Sequence, residues 1–295
     1  MSATDGSARR VALGSVQFGL PYGVANESGQ VAPGEAARIV RIAADRGVDT
    51  IDTAIGYRDS ERVLGDIGVA GFKVVTKLPA LPQDVLDVSR WASEQVEGAL
   101  TRLRAPRLHG LLLHRSADLL GPHGVALYRA MQAVKGRGLV GKIGVSVYTP
   151  DELGTLLASF AIDLVQAPLN LLDRRLQSSG WLARLNDAGV EVHTRSAFLQ
   201  GLLLMPRQRI PARFAAWSSL WDRWDRWADG DRRVALKACL AFPLSLPEVD
   251  RVVVGVDSAE QFEEILLGAV SERAAWPDLS CDDEALINPS NWALQ

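Results

Sequence analysis

Lys73-Val-Val-Thr-Lys-Leu78 and His109-Gly-Leu-Leu-Leu-His114 are short, nearly continuous apolar runs, and the segment between them has a different rhythm. From residue 88 to residue 103 it places Trp91, Val96, Ala99, Leu100 and Leu103 roughly three and four positions apart. An unbroken apolar run is what a strand shows when both of its faces are covered. A spacing of three and four collects side chains on one face of a helix. The segment therefore reads as strand, helix, strand, with the two strands parallel.

The same alternation extends in both directions. Further strands read at residues 11–16, 47–52, 141–146, 163–168, 190–196 and 250–255, which makes eight with the two above. Helical spacing recurs at residues 35–46, 125–135, 150–157, 180–188, 232–241 and 258–267. Thr149 before Pro150, and Ser258 with Gln261 three residues on, are N-terminal caps. Arg46-Gly47 and Ala188-Gly189 are helix stops. Eight alternating units in 295 residues, with no linker-like stretch and no repeat, predict one α/β domain over residues 1–295, a (β/α)8 TIM barrel. The polar leader, residues 1–10, is expected to be poorly ordered. The longest stretch without clear periodicity, residues 197–230, follows the seventh strand and should overhang the C-terminal face of the barrel.

Composition narrows the function. A formal net charge of −3 and a pI near 5.9 offer no broad attraction to nucleic acid or to an anionic membrane. No run approaches the roughly 18 apolar residues of a membrane span, and no signal core opens the chain, so a cytoplasmic location is expected. Cys239 and Cys281 are too few for a disulfide framework. His109, His123 and His193 lack metal-ligand spacing, and no metal site is expected. A monomer is the expected state.

Four polar residues fall at or just beyond the C-terminal ends of consecutive strands: Asp52, Tyr57, Lys77 and His114. Singly, each has an ordinary reading: a capping carboxylate, a packed ring, a solvated ammonium, an edge-of-core imidazole. On a barrel, however, those strand ends converge on one mouth. Together they suit carbonyl reduction, which needs a proton donor for the oxygen that gains charge. A phenol with a pKa of about 10 is a poor acid near neutrality. A neighbouring Lys77 ammonium should favour the phenolate, Asp52 should keep that ammonium charged, and His114 can hydrogen-bond the substrate oxygen.

The segments Asp49-Thr-Ile-Asp-Thr-Ala-Ile-Gly-Tyr57, Val75-Thr-Lys-Leu78 and Leu111-Leu-Leu-His-Arg115 resemble the signatures of the aldo-keto reductases. The resemblance implies that Tyr57 is the general acid, Lys77 and Asp52 its tuning pair, and His114 the group that orients a small carbonyl substrate. It also implies a nicotinamide cofactor, NADPH in the first place and NADH as the alternative. Ser146 and Gln166 would then hold the carboxamide, and Arg195, in place of the family's aromatic residue, would stack on the nicotinamide. Ser196, Phe198, Leu199 and Gly201 would approach the pyrophosphate, while Gly255, Asp257, Ser258 and Gln261 would cover the adenosine end. The absence of GxGxxG after the first strand disfavours a Rossmann site.

Other readings stay open at this level. Lys77 could serve a lyase as a Schiff-base nucleophile, or the chain could be a non-catalytic barrel that only holds the nicotinamide. The stretches Leu13-Gly-Ser-Val-Gln-Phe-Gly-Leu-Pro-Tyr-Gly-Val24 and Phe198-Leu-Gln-Gly201 resemble a bacterial branch often associated with sugar or surface-polysaccharide metabolism, so a sugar aldehyde or ketone is one candidate substrate beside aliphatic and aromatic aldehydes. Trp217, Trp221, Trp224 and Trp227 have the spacing of an amphipathic helix packed on the barrel, with an aromatic wall over the substrate as the alternative. Tyr22 is a second candidate wall residue.

Overall fold

A strand that is apolar on both faces needs a helix layer outside and a filled interior, and closure into a barrel supplies both while leaving no strand edge unpaired. In the computed structural model, which describes residues 4–270 and 275–292, eight parallel strands close in chain order. They are β1 Val11–Gly14, β2 Thr50–Asp52, β3 Lys73–Leu78, β4 Leu108–Leu113, β5 Val140–Ser146, β6 Leu164–Pro168, β7 Glu191–Arg195 and β8 Arg251–Gly255. β8 pairs back onto β1, with Leu13 opposite Val254. All eight expected strands are present; β3 has the expected bounds, and the others differ by one to three residues at one or both ends.

The interior of the barrel is small. Val75, Leu112 and Leu164 form an apolar cluster separate from the main core, which lies between strands and helices. Gly144 makes this layer possible: a Cβ there would lie 1.8 Å from the Leu164 carbonyl oxygen. The pairing of Ser146 with Gln166 two residues further along β5 and β6 depends on that close approach.

The expected helices are all found, as Pro33–Asp45, Val88–Leu103, Gly124–Gly136, Asp151–Ser159, Trp181–Asp187, Arg232–Leu244 and Ala259–Gly268. An eighth, Ser60–Ile67, escaped the periodicity reading because it has only eight residues and starts three after Tyr57. Its buried Glu61 accepts hydrogen bonds from Thr76 Oγ1 at 2.7 Å and Arg102 Nε at 2.7 Å, tying the helix to β3 and to Val88–Leu103. Ser258 Oγ accepts from the Gln261 N–H at 3.1 Å, as the capping pattern predicts. At Asp151–Ser159 Thr149 Oγ1 accepts from the Asp151 N–H at 3.4 Å, while the Glu152 side chain accepts from the Tyr148 and Thr149 N–H groups at 2.8 and 2.9 Å.

Two further segments carry structure of their own. The leader is a helix over Thr4–Ala8, and residues 1–3 lie outside the described residues. Arg10 follows it and donates to the carbonyls of Leu244, Leu246 and Val249 at 2.6 Å each. The stretch after β7 is also structured, with short 3-10 turns leading into the helix Ser218–Ala228. Its Trp221 and Trp224 are buried, donating to the Phe214 and Leu203 carbonyls at 3.0 and 2.9 Å. None of the four tryptophans lines the cavity at the barrel mouth, which supports the packing reading.

Because backbone meets backbone at Gly144, side-chain repacking cannot relieve an added methyl. Gly144→Ala should lower the urea midpoint by an amount corresponding to the upper end of the about 1–3 kcal/mol typical of overpacking, or more.

Candidate active site

Lys77 comes one residue before the end of β3, and its side chain is 1% exposed. An ammonium this deep must be paired. Nζ donates to Asp52 Oδ1 at 2.6 Å and to the Thr53 carbonyl at 2.9 Å. Asp52 ends β2, and its other oxygen, Oδ2, accepts from Gln166 Nε2 at 2.8 Å. Three strands, β2, β3 and β6, are thereby joined through one carboxylate. Burial pulls the Lys77 ammonium below its ordinary range, with the attraction of Asp52 opposing and Arg195 adding to the fall.

Tyr57 reaches this pair from the turn after β2. Its N–H donates to the Ala54 carbonyl at 3.0 Å and its carbonyl accepts from Ser60 N at 3.0 Å. Gly19 lets the turn press against the loop after β1, since a Cβ there would lie 1.8 Å from the Tyr57 carbonyl oxygen. Lys77 Nζ stands over the Tyr57 ring, 5.3 Å from its centroid, and the His114 ring meets Tyr57 edge-on at 5.8 Å. His114 follows β4 and donates its backbone N–H to the Leu78 carbonyl at 3.1 Å, extending the ladder by one residue. The four residues predicted to converge do so.

Their electrostatics depart from expectation in one respect. The Tyr57 phenol is pushed well above its ordinary range, first by desolvation and then by the Asp52 charge, with Arg195 opposing. Lys77 does not make Tyr57 a phenolate here, because Asp52 engages its ammonium at hydrogen-bond distance. The phenol is held protonated. His114 is lowered to about 4 by burial, then by Lys77 and Arg195, so its imidazole is neutral near pH 7.

A cavity of about 190 Å³ runs from Asp52 and Tyr57 along the ends of β1, β7 and β8. Of the residues expected to hold a cofactor, Gln166, Arg195, Ser196, Phe198, Gly201, Gly255, Asp257 and Gln261 line it. Ser146, Leu199 and Ser258 do not. Ser146 and Leu199 are buried, and Ser258 lines an adjoining outer recess. Arg195 lies over Tyr148, its guanidinium carbon 4.5 Å from the ring centroid, and Nη2 donates to the Val147 carbonyl at 3.1 Å. A planar cation on an aromatic platform is a stable surface for a further ring. After β7 the backbone turns left-handed at Ser196, Leu199, Gln200 and Gly201. A Cβ on Gly201 would come within 2.5 Å of Ala25 Cβ, so glycine lets the loops after β1 and β7 meet over the cleft. Gln200 Nε2 donates to Tyr22 Oη across the same seam at 3.1 Å.

Sequence reasoning missed Gln17, Asn26 and Arg232, all of which line the cavity, as does Gln200 between the expected Leu199 and Gly201. Gln17 had a usable signal, lying three residues past the end of β1, whereas Asn26 and Arg232 are joined to the site only by folding. Gln17 Oε1 is buried without a hydrogen-bond partner, and a Cβ on Gly255 would lie 2.6 Å from the Gln17 carboxamide. An unsatisfied acceptor beside a glycine-opened cleft fits a bound molecule with donors along its length.

The class defined by this fold and site is matched by comparison with known proteins. The Aldo/keto reductase family model matches residues 10–271, and the chain belongs to that family of oxidoreductases. It is 29% identical over 141 residues to the 6-dehydroglucose reductase of Novosphingobium aromaticivorans and 26% identical over 151 residues to aldo-keto reductase YhdN of Bacillus subtilis. Those matches cover 42% and 48% of this chain, and it spans under half, 45%, of each relative's length. Among solved structures, aldo-keto reductase AKR11C1 from Bacillus halodurans, in its holo form, aligns with a TM-score of 0.72 at 19% identity, over 92% of this chain and 89% of that one. PA4992 of Pseudomonas aeruginosa aligns with a TM-score of 0.65 at 23% identity, over 88% of this chain and 89% of that one. At such identities the likeness speaks for the fold alone.

A His114 that loses its affinity for protons on folding makes stability depend on pH in a defined direction. Between about pH 6.5 and 4 the unfolded chain binds the proton and the folded chain does not, so stability falls as pH drops through that window. His114→Gln should remove this part of the slope in urea unfolding measured at several pH values. In the parent protein the His114 imidazole resonance should titrate near pH 4.

Proposed function

We propose that the protein reduces the carbonyl group of an aldehyde or ketone with a reduced nicotinamide dinucleotide, Tyr57 serving as general acid. The observation that carries this reading is the convergence of Tyr57, the buried Lys77–Asp52 pair and neutral His114 at one end of the cleft that runs along the ends of β1, β7 and β8. The cofactor would supply the hydride to the carbonyl carbon, in the cleft lined by Gln166, Arg195, Phe198 and Gly201.

The chain's own residues would do the rest. Tyr57, held protonated, gives its proton to the carbonyl oxygen as charge develops there. The phenolate left behind faces Lys77 and Arg195, whose positive charges stabilise it until solvent returns a proton. A neutral His114 can donate a hydrogen bond to the same oxygen without adding a charge to the site. Gln166 holds Asp52, and Asp52 holds Lys77, so Gln166 acts on Tyr57 through two hydrogen bonds.

Burial of Lys77 weighs against a Schiff-base role, because its nitrogen is enclosed and already bonded to Asp52 and Thr53. No helix among the described residues is long and apolar enough to cross a membrane, in keeping with a small-molecule substrate met in solution. The relative named 6-dehydroglucose reductase favours an aldehyde or ketone of a sugar. NADPH is the cofactor that family membership favours.

Tyr57→Phe should retain cofactor binding, followed by nucleotide fluorescence, while carbonyl-dependent loss of the 340 nm absorbance falls by roughly 10²–10⁴-fold. Undiminished turnover would remove Tyr57 from its role. Nucleotide binding with no turnover of any carbonyl by the parent protein would favour a barrel that only holds the cofactor.

A further inference from the structure

The cleft does not end at the pyrophosphate-sized stretch beside Gly201. It passes Gln17 and Gly255 and reaches Asp257 and Gln261, where it joins the outer recess. This far end lies at the N-terminus of the helix Ala259–Gly268, ordinarily a favourable place for a phosphate because open N–H groups and the helix dipole point at it. Here the protein has filled that place. Glu35 Oε1 accepts from the Ala259 N–H at 2.6 Å, Gln261 Oε1 from the Asp257 N–H at 2.7 Å, and Ser258 Oγ from the Gln261 N–H at 3.1 Å. The helix end already carries a carboxylate.

Asp257 adds a second one, facing the cleft. Its Oδ1 accepts from Asn26 Nδ2 at 2.8 Å, across the seam between the loops after β1 and β8. Among the described residues no cation pairs with it. Its carboxyl is accordingly raised above the ordinary range by desolvation, against the Asn26 hydrogen bond. On the opposite wall, the helix Arg232–Leu244 brings three cations to the outer recess: Arg232, Arg233 and Lys237. Arg232 is engaged by both oxygens of Glu264, at 2.7 and 2.6 Å.

We infer that this end of the cleft selects NADH over NADPH, with Asp257 as the specificity-determining residue. The inference rests on the dinucleotide reading above and reverses the cofactor that family membership favours. A carboxylate accepts hydrogen bonds from the 2′- and 3′-hydroxyls of a ribose, whereas a 2′-phosphate brings negative charge against Asp257 and finds helix N–H groups already bonded. Asn26 is a positioning residue that holds the carboxylate toward the cleft.

The test is equilibrium binding to the purified parent protein, by nucleotide fluorescence or calorimetry, with no carbonyl substrate present. NADH should bind on the order of tenfold or more tightly than NADPH. Asp257→Asn, which keeps the shape and removes the charge, should strengthen NADPH binding and narrow the ratio to within about threefold. Equal or tighter binding of NADPH by the parent protein would overturn the inference, pointing to Arg233 and Lys237 as phosphate partners, and leave the reductase reading standing. An unchanged ratio in Asp257→Asn would remove Asp257 from the role. Binding of neither nucleotide would sink both readings together.

Discussion

The ion pair between Lys77 and Asp52 is the interaction on which the mouth of this barrel depends. Both groups are almost fully withdrawn from water, and a buried pair regains little more than its desolvation cost. Apolar residues of similar size would serve stability as well or better. What the pair supplies instead is position. Lys77 Nζ cannot leave the space above the Tyr57 ring without abandoning Asp52 and the Thr53 carbonyl, and Asp52 cannot turn without losing Gln166. Charge and geometry are specified together, from three strands far apart in the chain.

The same economy of polar contacts operates around the cleft. Arg195 presents its guanidinium from a Tyr148 platform rather than from an opposing carboxylate, so its charge remains effective at Tyr57, Lys77 and His114. Among the described residues no carboxylate pairs with Arg195 and no cation pairs with Asp257. Close approaches at Gly19, against the Tyr57 carbonyl, and at Gly201, against Ala25, leave no room for a side chain there.

Much of this was legible in the residues themselves. Continuous runs such as Lys73–Leu78 read as strands because parallel strands bury both faces, and eight of them with intervening helical spacing leave few ways to bury so much apolar surface in one domain. Asp52, Tyr57, Lys77 and His114 were identifiable because barrel topology brings consecutive strand ends to one place. The short helix Ser60–Ile67 was not, since two turns carry too little periodicity to stand out from the loop before it. The role of Arg10 was not legible either, because polar composition says nothing about three carbonyls more than two hundred residues away.

Local pattern therefore determined the architecture, the order of the strands and the residue types at the mouth, since these follow from periodicity and from the direction of parallel strands. Tertiary structure alone decided the charge state and reach of those residues. Whether Lys77 acts on Tyr57 or is held by Asp52 depends on distances between strands. Whether Asp257 faces a cleft depends on Asn26, 231 residues before it. Protonation and specificity are set by what surrounds a group in space, and sequence spacing carries almost none of that information.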